Sequence, residues 1–422
     1  MKYISVKSIM GNLAITLFLA YKSILKGNRW VPILLVLVMA FSFVNLIFTA
    51  SIITGVMRTM DKQLVDAVYS NIVLNPEDDD YYIDHVSQVQ KQIEQAPGVA
   101  GASTHLDSSA FFEYQWKEKQ TQTDKGKSGT WKVIGINPEQ EANVTTIHNQ
   151  MIEGSYLTED DRDEIVLGVE IAGGDITQTE AFLTLGGVKA GDKVRLTYPN
   201  NIQREYTVKG IFRARELQAD LVAFVTQKEM ASVLGRNIFY DRASQILIRS
   251  EPNIDENILI AEFRDMGIKG EIRSWSEYGG AMRSTISTFE IIGSLINGVG
   301  LIVATIVMFI VIYINVINRK RQIGIMRAIG IAQGTIIGSY LVQALFYAGS
   351  GIALGWIVVR FLLLPYFINN PLDLPIGLVS LTVQPLTMGS STAGLILAAI
   401  LAGVIPAWAI MKQSIIKVIW GT

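Results

Sequence analysis

From Ile291 to Ile317 the chain runs 27 residues without a charged side chain. A helix of about 20 apolar residues crosses the hydrocarbon core of a bilayer, so this run is long enough to span one. Three more stretches share the character. Val31 to Ile53 is apolar, about Thr335 to Leu364 holds one charge, Arg360, and about Met388 to Met411 holds none. Half of the 422 residues are hydrophobic and the mean hydropathy is +0.32, too apolar for an ordinary water-soluble chain of this length. Residues 54–285 form a polar block of soluble composition. The expected fold is therefore an α-helical membrane protein with four transmembrane helices and a large α+β extracytoplasmic domain inserted between helices 1 and 2. Its expected parts are an amphipathic segment at 1–29, spans at 30–54, 286–317, 335–364 and 388–411, the large domain at 55–285, a cytoplasmic loop at 318–334, an outer loop at 365–387 and a tail at 412–422.

The charges sort by these borders. Residues 54–285 hold 24 Lys and Arg against 36 Asp and Glu, a net of −12. Outside the block there are 12 cations and only two acids, Glu290 and Asp373. Eleven of those cations fall on the first segment, the 318–334 loop and the tail. Cations in short loops stay on the cytoplasmic side. Both termini are thus expected in the cytoplasm of a multi-pass inner-membrane protein, with residues 55–285 outside. Arg360 sits near the outer end of the third span, where it can snorkel.

A cleaved signal peptide is not expected, because nearly 30 residues precede the first apolar run and no small-residue cleavage site follows it. Before that run, Leu13, Leu17, Ala20, Ile24 and Leu25 recur at helical spacing, with Lys22 and Lys26 one turn apart. This reads as a helix in the inner membrane interface, or else a plain cytoplasmic helix. In the large domain, "SNIVLN" and "VAGASTHLDSSAFFEYQW" read as strands around a helix carrying Ile83, Val86, Val89 and Ile93. The same order returns in "ASQILIRS", "NIDENILIAEFRDMG" and "IKGEIRSW". A split βαβ subdomain over 55–129 and 241–285 is expected, framing a mostly β insert at 130–240.

Chemistry is sparse. The absence of Cys excludes disulfides and thiolate sites. His85, His105 and His148 lack metal spacing and read as isolated polar residues. The acidic runs "PEDDD" and "TEDDRDE" read as solvated loops or helix N-termini rather than cation sites. "TDKGKSGT" resembles a phosphate loop only in Gly-Lys-Ser, because Thr121 stands where the first Gly belongs. "NVT" at Asn143 is a glycosylation acceptor only in a host that uses one. No catalytic residue, metal site, cofactor or nucleic-acid surface is expected. The spans lack the mid-membrane ionisable groups of an ion-coupled carrier, and four spans leave little room for a transporter's internal repeats. Small residues, such as Gly351 and Gly355, allow close helix contact and are consistent with self-association.

The remaining feature is "INRKRQIGIMRAIGI", residues 317–331. Ile323, Met326 and Ile329 alternate with Arg321 and Arg327 ahead of Gly330. A solvated loop has no need of those apolar residues. The segment reads either as membrane anchoring or as a short helix docked on another protein.

This stretch resembles the coupling segment of FtsX-like ABC permeases, the MacB and lipoprotein-releasing type. The family's pattern maps on Arg319, Arg321, Gln322, Ile323, Gly324, Ile325, Arg327, Ala328, Ile329 and Gly330, with Gln322 where Glu is usual. Its closing Pro-Ala matches Pro406 and Ala407, while Ile415 stands in place of a later Pro. The chain layout and "WKVIGINPEQE" are similar too. The resemblance implies a dimer with an identical or homologous second permease, its seam at the first span and its neighbours, and two copies of an ATPase on a separate chain. ATP and Mg would be held there, since no Walker A motif occurs here. It implies ATPase docking through Arg319, Lys320, Arg321, Gln322, Ile323, Gly324, Met326, Arg327, Ala328 and Gly330. It further implies export or extraction of a lipoprotein, lipid, peptide or drug-like substrate by mechanotransmission, with an adaptor or lipoprotein carrier outside. The alternative is a regulatory subunit that passes ATPase state to an outer hydrolase.

Overall fold

The structure, a computed structural model, describes residues 6–26, 30–77, 80–117, 127–173, 183–235, 239–278, 280–374 and 377–412. Along the chain, α1 (Val6–Lys26) and α2 (Trp30–Leu64) come first, and α2 runs on as a π-turn to Tyr69. Then follow β1 (Ile72–Asn75), β2 (Ile83–Asp84), α3 (Val86–Glu94), β3 (Val99–Tyr114), β4 (Ser128–Ile136) and α4 (Pro138–Val144). The middle section holds β5 (Met151–Gly154), β6 (Glu164–Gly168), β7 (Lys193–Thr197), β8 (Gln203–Phe212), β9 (Val222–Thr226) and α5 (Gln227–Leu234). It is followed by β10 (Arg242–Ala243), β11 (Gln245–Ser250), α6 (Glu256–Asp265) and β12 (Glu271–Ser274). The chain closes on α7 (Gly280–Asn318), α8 (Lys320–Ala328), α9 (Gln333–Val358) and α10 (Pro385–Met411). Four of these helices, α2, α7, α9 and α10, are long and apolar enough to cross a membrane, and a large α+β domain lies between the first and second. Contacts divide the chain into two units, the large domain at Arg58–Thr285 and the helical remainder.

In the large domain β3 is the shared element. Its first half pairs with β11 and its second half with β4 and then β7. On one side the order is β12-β1-β11-β3, every pair antiparallel. Helices α3 and α6 cover that sheet through Val86, Ile93, Leu259, Ile260 and Phe263, which are buried with Ile72, Leu74, Ile246 and Ile248. This is the split βαβ arrangement. On the other side pairing runs β3-β4-β9-β6-β8 and returns through β7 to β3, so six strands close on themselves. Their alternation assigns the two faces. Val133, Ile165, Leu167, Val208, Ala223 and Val225 fill the interior, while the intervening Ile134, Val166 and Phe224 join a second cluster outside.

Two polar features were not evident from spacing. His105 and Glu141 are buried, with His105 Nε2 2.7 Å from the Glu141 carboxylate. Ser103 and Thr145 also donate to that carboxylate, at 2.6 and 3.0 Å. His105, read above as an isolated polar residue, is therefore paired. Burial acts to raise the Glu141 carboxyl, but His105, Ser103 and Thr145 outweigh it and hold Glu141 below its usual range. The "TEDDRDE" run is tied down as well. Lys209 pairs with Asp161 and with Glu164, the latter at 2.9 Å, and Thr158 donates to Asp161.

The helical unit shares one core. Leu35, Met39 and Phe43 of α2, Met308 and Ile312 of α7, Ala344 and Tyr347 of α9, and Leu395, Ala399 and Ala402 of α10 are buried together. A Cβ at Gly351 would lie 2.5 Å from Met39 Cβ and 3.0 Å from the Ala40 nitrogen. One at Gly355 would lie 3.0 Å from the Ala40 carbonyl. The Gly351 and Gly355 pair, considered above for self-association, thus serves contact between the first and third spans of the same chain. Lipid supplies no hydrophobic drive between helices, so such close approach carries the packing.

Replacing Glu141 by Leu should leave His105 Nε2 and the Ser103 hydroxyl without their buried acceptor, while Thr145 keeps the Glu141 backbone carbonyl at 3.3 Å, and destabilise the large domain by about 2–5 kcal/mol, read by thermal unfolding of the purified protein. Because Glu141 is held low, the wild type should lose this contribution only as pH falls below the ordinary carboxylate range. Asp220 behaves oppositely, since burial pushes its carboxyl up to about 7. Its ionisation costs stability as pH rises toward 7, so Asp220→Asn should raise the melting temperature at pH 8 and leave it unchanged at pH 4.

Candidate functional site at the basic ends of the spans

The second span ends at Asn318, and α8 starts after Arg319, whose backbone leaves the helical region (φ −104°, ψ 8°). Ile323 anchors the new helix. It is fully buried in the cluster that also contains Val316, Ile336 and Tyr340. Gly324 is buried beside it, and Met326 packs partly against the same core. Ile323 and Met326, expected on a docking face, instead fasten α8 to the spans. The apolar residues left open are Ile325, 49% exposed, and Ile329, 73% exposed. Helical spacing sets Arg321, Ile325, Ala328 and Ile329 on one stripe, all exposed, and Lys320 and Gln322 flank it. Arg327 is half-buried and engaged with other groups.

Gly330 ends the helix for a conformational reason. Its φ is +96°, its N–H donates to the Arg327 carbonyl at 3.1 Å, and the Ile331 N–H donates to Met326 at 3.0 Å. That pair of bonds is a Schellman cap, which calls for a left-handed residue at this position. A Cβ there would meet nothing within 4 Å, so the demand is on the backbone alone.

Arg319 faces inward. Its guanidinium donates to the Ser23 hydroxyl and, at 3.3 Å, to the Ser23 carbonyl. Ser23 lies in the last turn of α1, where carbonyls lack helical partners and a cation is favoured. Helix α1 also packs along α9, with Ala20 buried and the Thr16 hydroxyl 3.5 Å from the Thr335 carbonyl. No residue spacing signals the Arg319–Ser23 link, which joins residues 296 apart. Pro406 and Ala407 are not part of this surface. Both are buried within α10, where Pro406 removes one helical hydrogen bond. Among the described residues no group of His, Asp and Glu could hold a metal ion.

Two family models match the chain. The MacB-like periplasmic core domain matches residues 33–266 and the FtsX-like permease C-terminal domain matches residues 294–415. The chain belongs to the FtsX/MacB-like family of ABC permeases. Comparison with curated proteins gave no match. Among solved structures, the extracellular domain of the noncanonic ABC-type transporter YknZ from Gram-positive bacteria is 12% identical, with a TM-score of 0.33 over 48% of this chain and 97% of that one. The periplasmic region of MacB from Actinobacillus actinomycetemcomitans is 14% identical, with a TM-score of 0.33 over 50% of this chain and 91% of that one. The family rests on the two models and not on these likenesses. Membership makes this a multi-pass permease and implies, in general terms, ABC ATPase partners and dimerisation.

Gly330→Ala should strain the permease's Schellman cap by about 1–2 kcal/mol. Gly330→Asn, which tolerates the left-handed region, should restore most of it, read as the melting temperature in detergent.

Proposed function

We propose that this permease is the membrane subunit of an ABC system of mechanotransmission type. A separate ATPase, bound at the basic ends of the spans, would drive export or extraction of a substrate from the outer side of the cytoplasmic membrane. The observation that carries this reading is helix α8. It is short, cationic and fixed at its root by Ile323 in the core shared by the spans. It is stopped by Gly330 and leaves Arg321, Ile325 and Ile329 exposed. A lever that transmits force needs one face rigidly attached to what moves and another face free for what pushes. The eleven cations and absent acids on the same segments support a cytoplasmic location for this face. The same charge asymmetry supports an outward placement of the large domain. Lipoprotein, lipid, peptide or drug-like cargo all suit a system whose spans carry so few ionisable residues.

Co-purification with the ATPase tests the docking face. Ile325→Asp with Ile329→Asp should abolish the complex and ATP turnover by it, while the variant permease keeps its melting temperature. Ile323→Asp should lower that temperature, because it buries an unpaired charge. An intact complex in the Ile325/Ile329 variant would refute this docking face.

A further inference from the structure

Behind α8 lies a cleft of about 330 Å³. Three elements build it. Leu19, Lys22 and Ser23 come from α1, Arg319, Gln322, Ile323 and Met326 from the α7–α8 elbow, and Ser339, Tyr340 and Gln343 from α9. Two cations, Lys22 and Arg319, line it, and no carboxylate does. None is within reach, since residues 1–53 and 318–364 contain no Asp or Glu. Glu290 lies at the other end of α7, roughly 40 Å away at helical rise.

The cleft floor is polar where the core of the spans is apolar. Gln343 is 3% exposed and Ser339 and Tyr340 are each 5% exposed. Gln343 donates one amide hydrogen to the Ser339 carbonyl at 3.0 Å, which leaves its second for another acceptor. The Tyr340 hydroxyl has no hydrogen-bond partner among the described residues. Polar donors in a cleft lined by two cations and no carboxylate select an acceptor-only anion. Leu19, Ile323 and Met326 form apolar walls, which suit an anion carried on an apolar body. Outside the cleft, Leu17, Phe18 and Tyr21 of α1 are 50%, 57% and 65% exposed, a surface that fits acyl chains.

We propose that this cleft binds the phosphate headgroup of an anionic phospholipid, with Arg319 and Lys22 as its cationic contacts and Tyr340 and Gln343 as donors from below. Basic pockets between helices at a membrane surface take such headgroups. The lipid would then clamp α1 to the elbow that carries α8. The proposal depends on the spans and the cleft, not on the ATPase reading.

The test uses the full permease in detergent, titrated with phosphatidylglycerol or phosphatidylcholine and read by native mass spectrometry. Wild type should retain phosphatidylglycerol in preference. Lys22→Gln should lower that preference about fivefold, the effect of one cation near a membrane surface. Tyr340→Phe, a change that keeps the ring, should lower it further without moving the melting temperature. Equal retention of both lipids by the wild type overturns the proposal. Binding of inorganic phosphate alone, with the same dependence on Lys22 and Tyr340, overturns the lipid as its source. Expulsion of the lipid by the bound ATPase would mean that the cleft belongs to the protein interface, and would also overturn it. Retention in the presence of the ATPase, like resistance to phosphate, supports the lipid site.

Discussion

A peptide group in hydrocarbon has no water to bond, so every spanning segment must satisfy its own backbone. That constraint makes the four long segments helical, and it also removes the hydrophobic drive that packs helices in water. Close approach has to replace that drive. At Gly351 and Gly355 the third span meets the first with a Cβ-sized gap closed by backbone and by Met39 and Phe43. At Gly403 the fourth span meets Ala344 of the third in the same manner. The core so formed is what α8 is fastened to, through Ile323. An elbow with one root in that core can follow the spans as they shift. A helix merely lying on the surface could not.

The two faces of α8 follow from this fastening. Charges cannot enter the core without partners, so Arg319 turns to the carbonyl end of α1 while Lys320 and Arg321 stay exposed. The apolar residues divide accordingly. Ile323 goes inward and Ile325 and Ile329 remain outside. The family pattern spans both sets, which is why a motif by itself cannot say which of its residues touch a partner.

Much of the architecture was legible in the chain. Apolar runs without charge marked the spans, and short β-branched runs broken by Gly, Asn and Pro marked strands such as Glu164–Gly168 and Val222–Thr226. The continuation of α2 to Leu64 was not legible from hydropathy, since the chain past Ile53 carries Arg58, Asp61 and Lys62 while its buried residues Met60 and Leu64 keep helical spacing. The short strand Met151–Gly154 was missed as well, for its side chains are largely exposed and give no alternation. His105 read as isolated because its partner Glu141 lies 36 residues on, in a helix that packs on the strand only after folding.

Residue order alone marked four apolar spans, a large α+β domain between the first two, and the places where the cations collect. Those properties are sums over composition and period, which local order carries. Packing of the helices settled that Gly351 and Gly355 join spans of one chain, that Ile323 is an anchor and Ile325 is open, and that Arg319 closes on Ser23. Each of these depends on which helix lies against which, and residues hundreds of positions apart become neighbours only once the spans have packed.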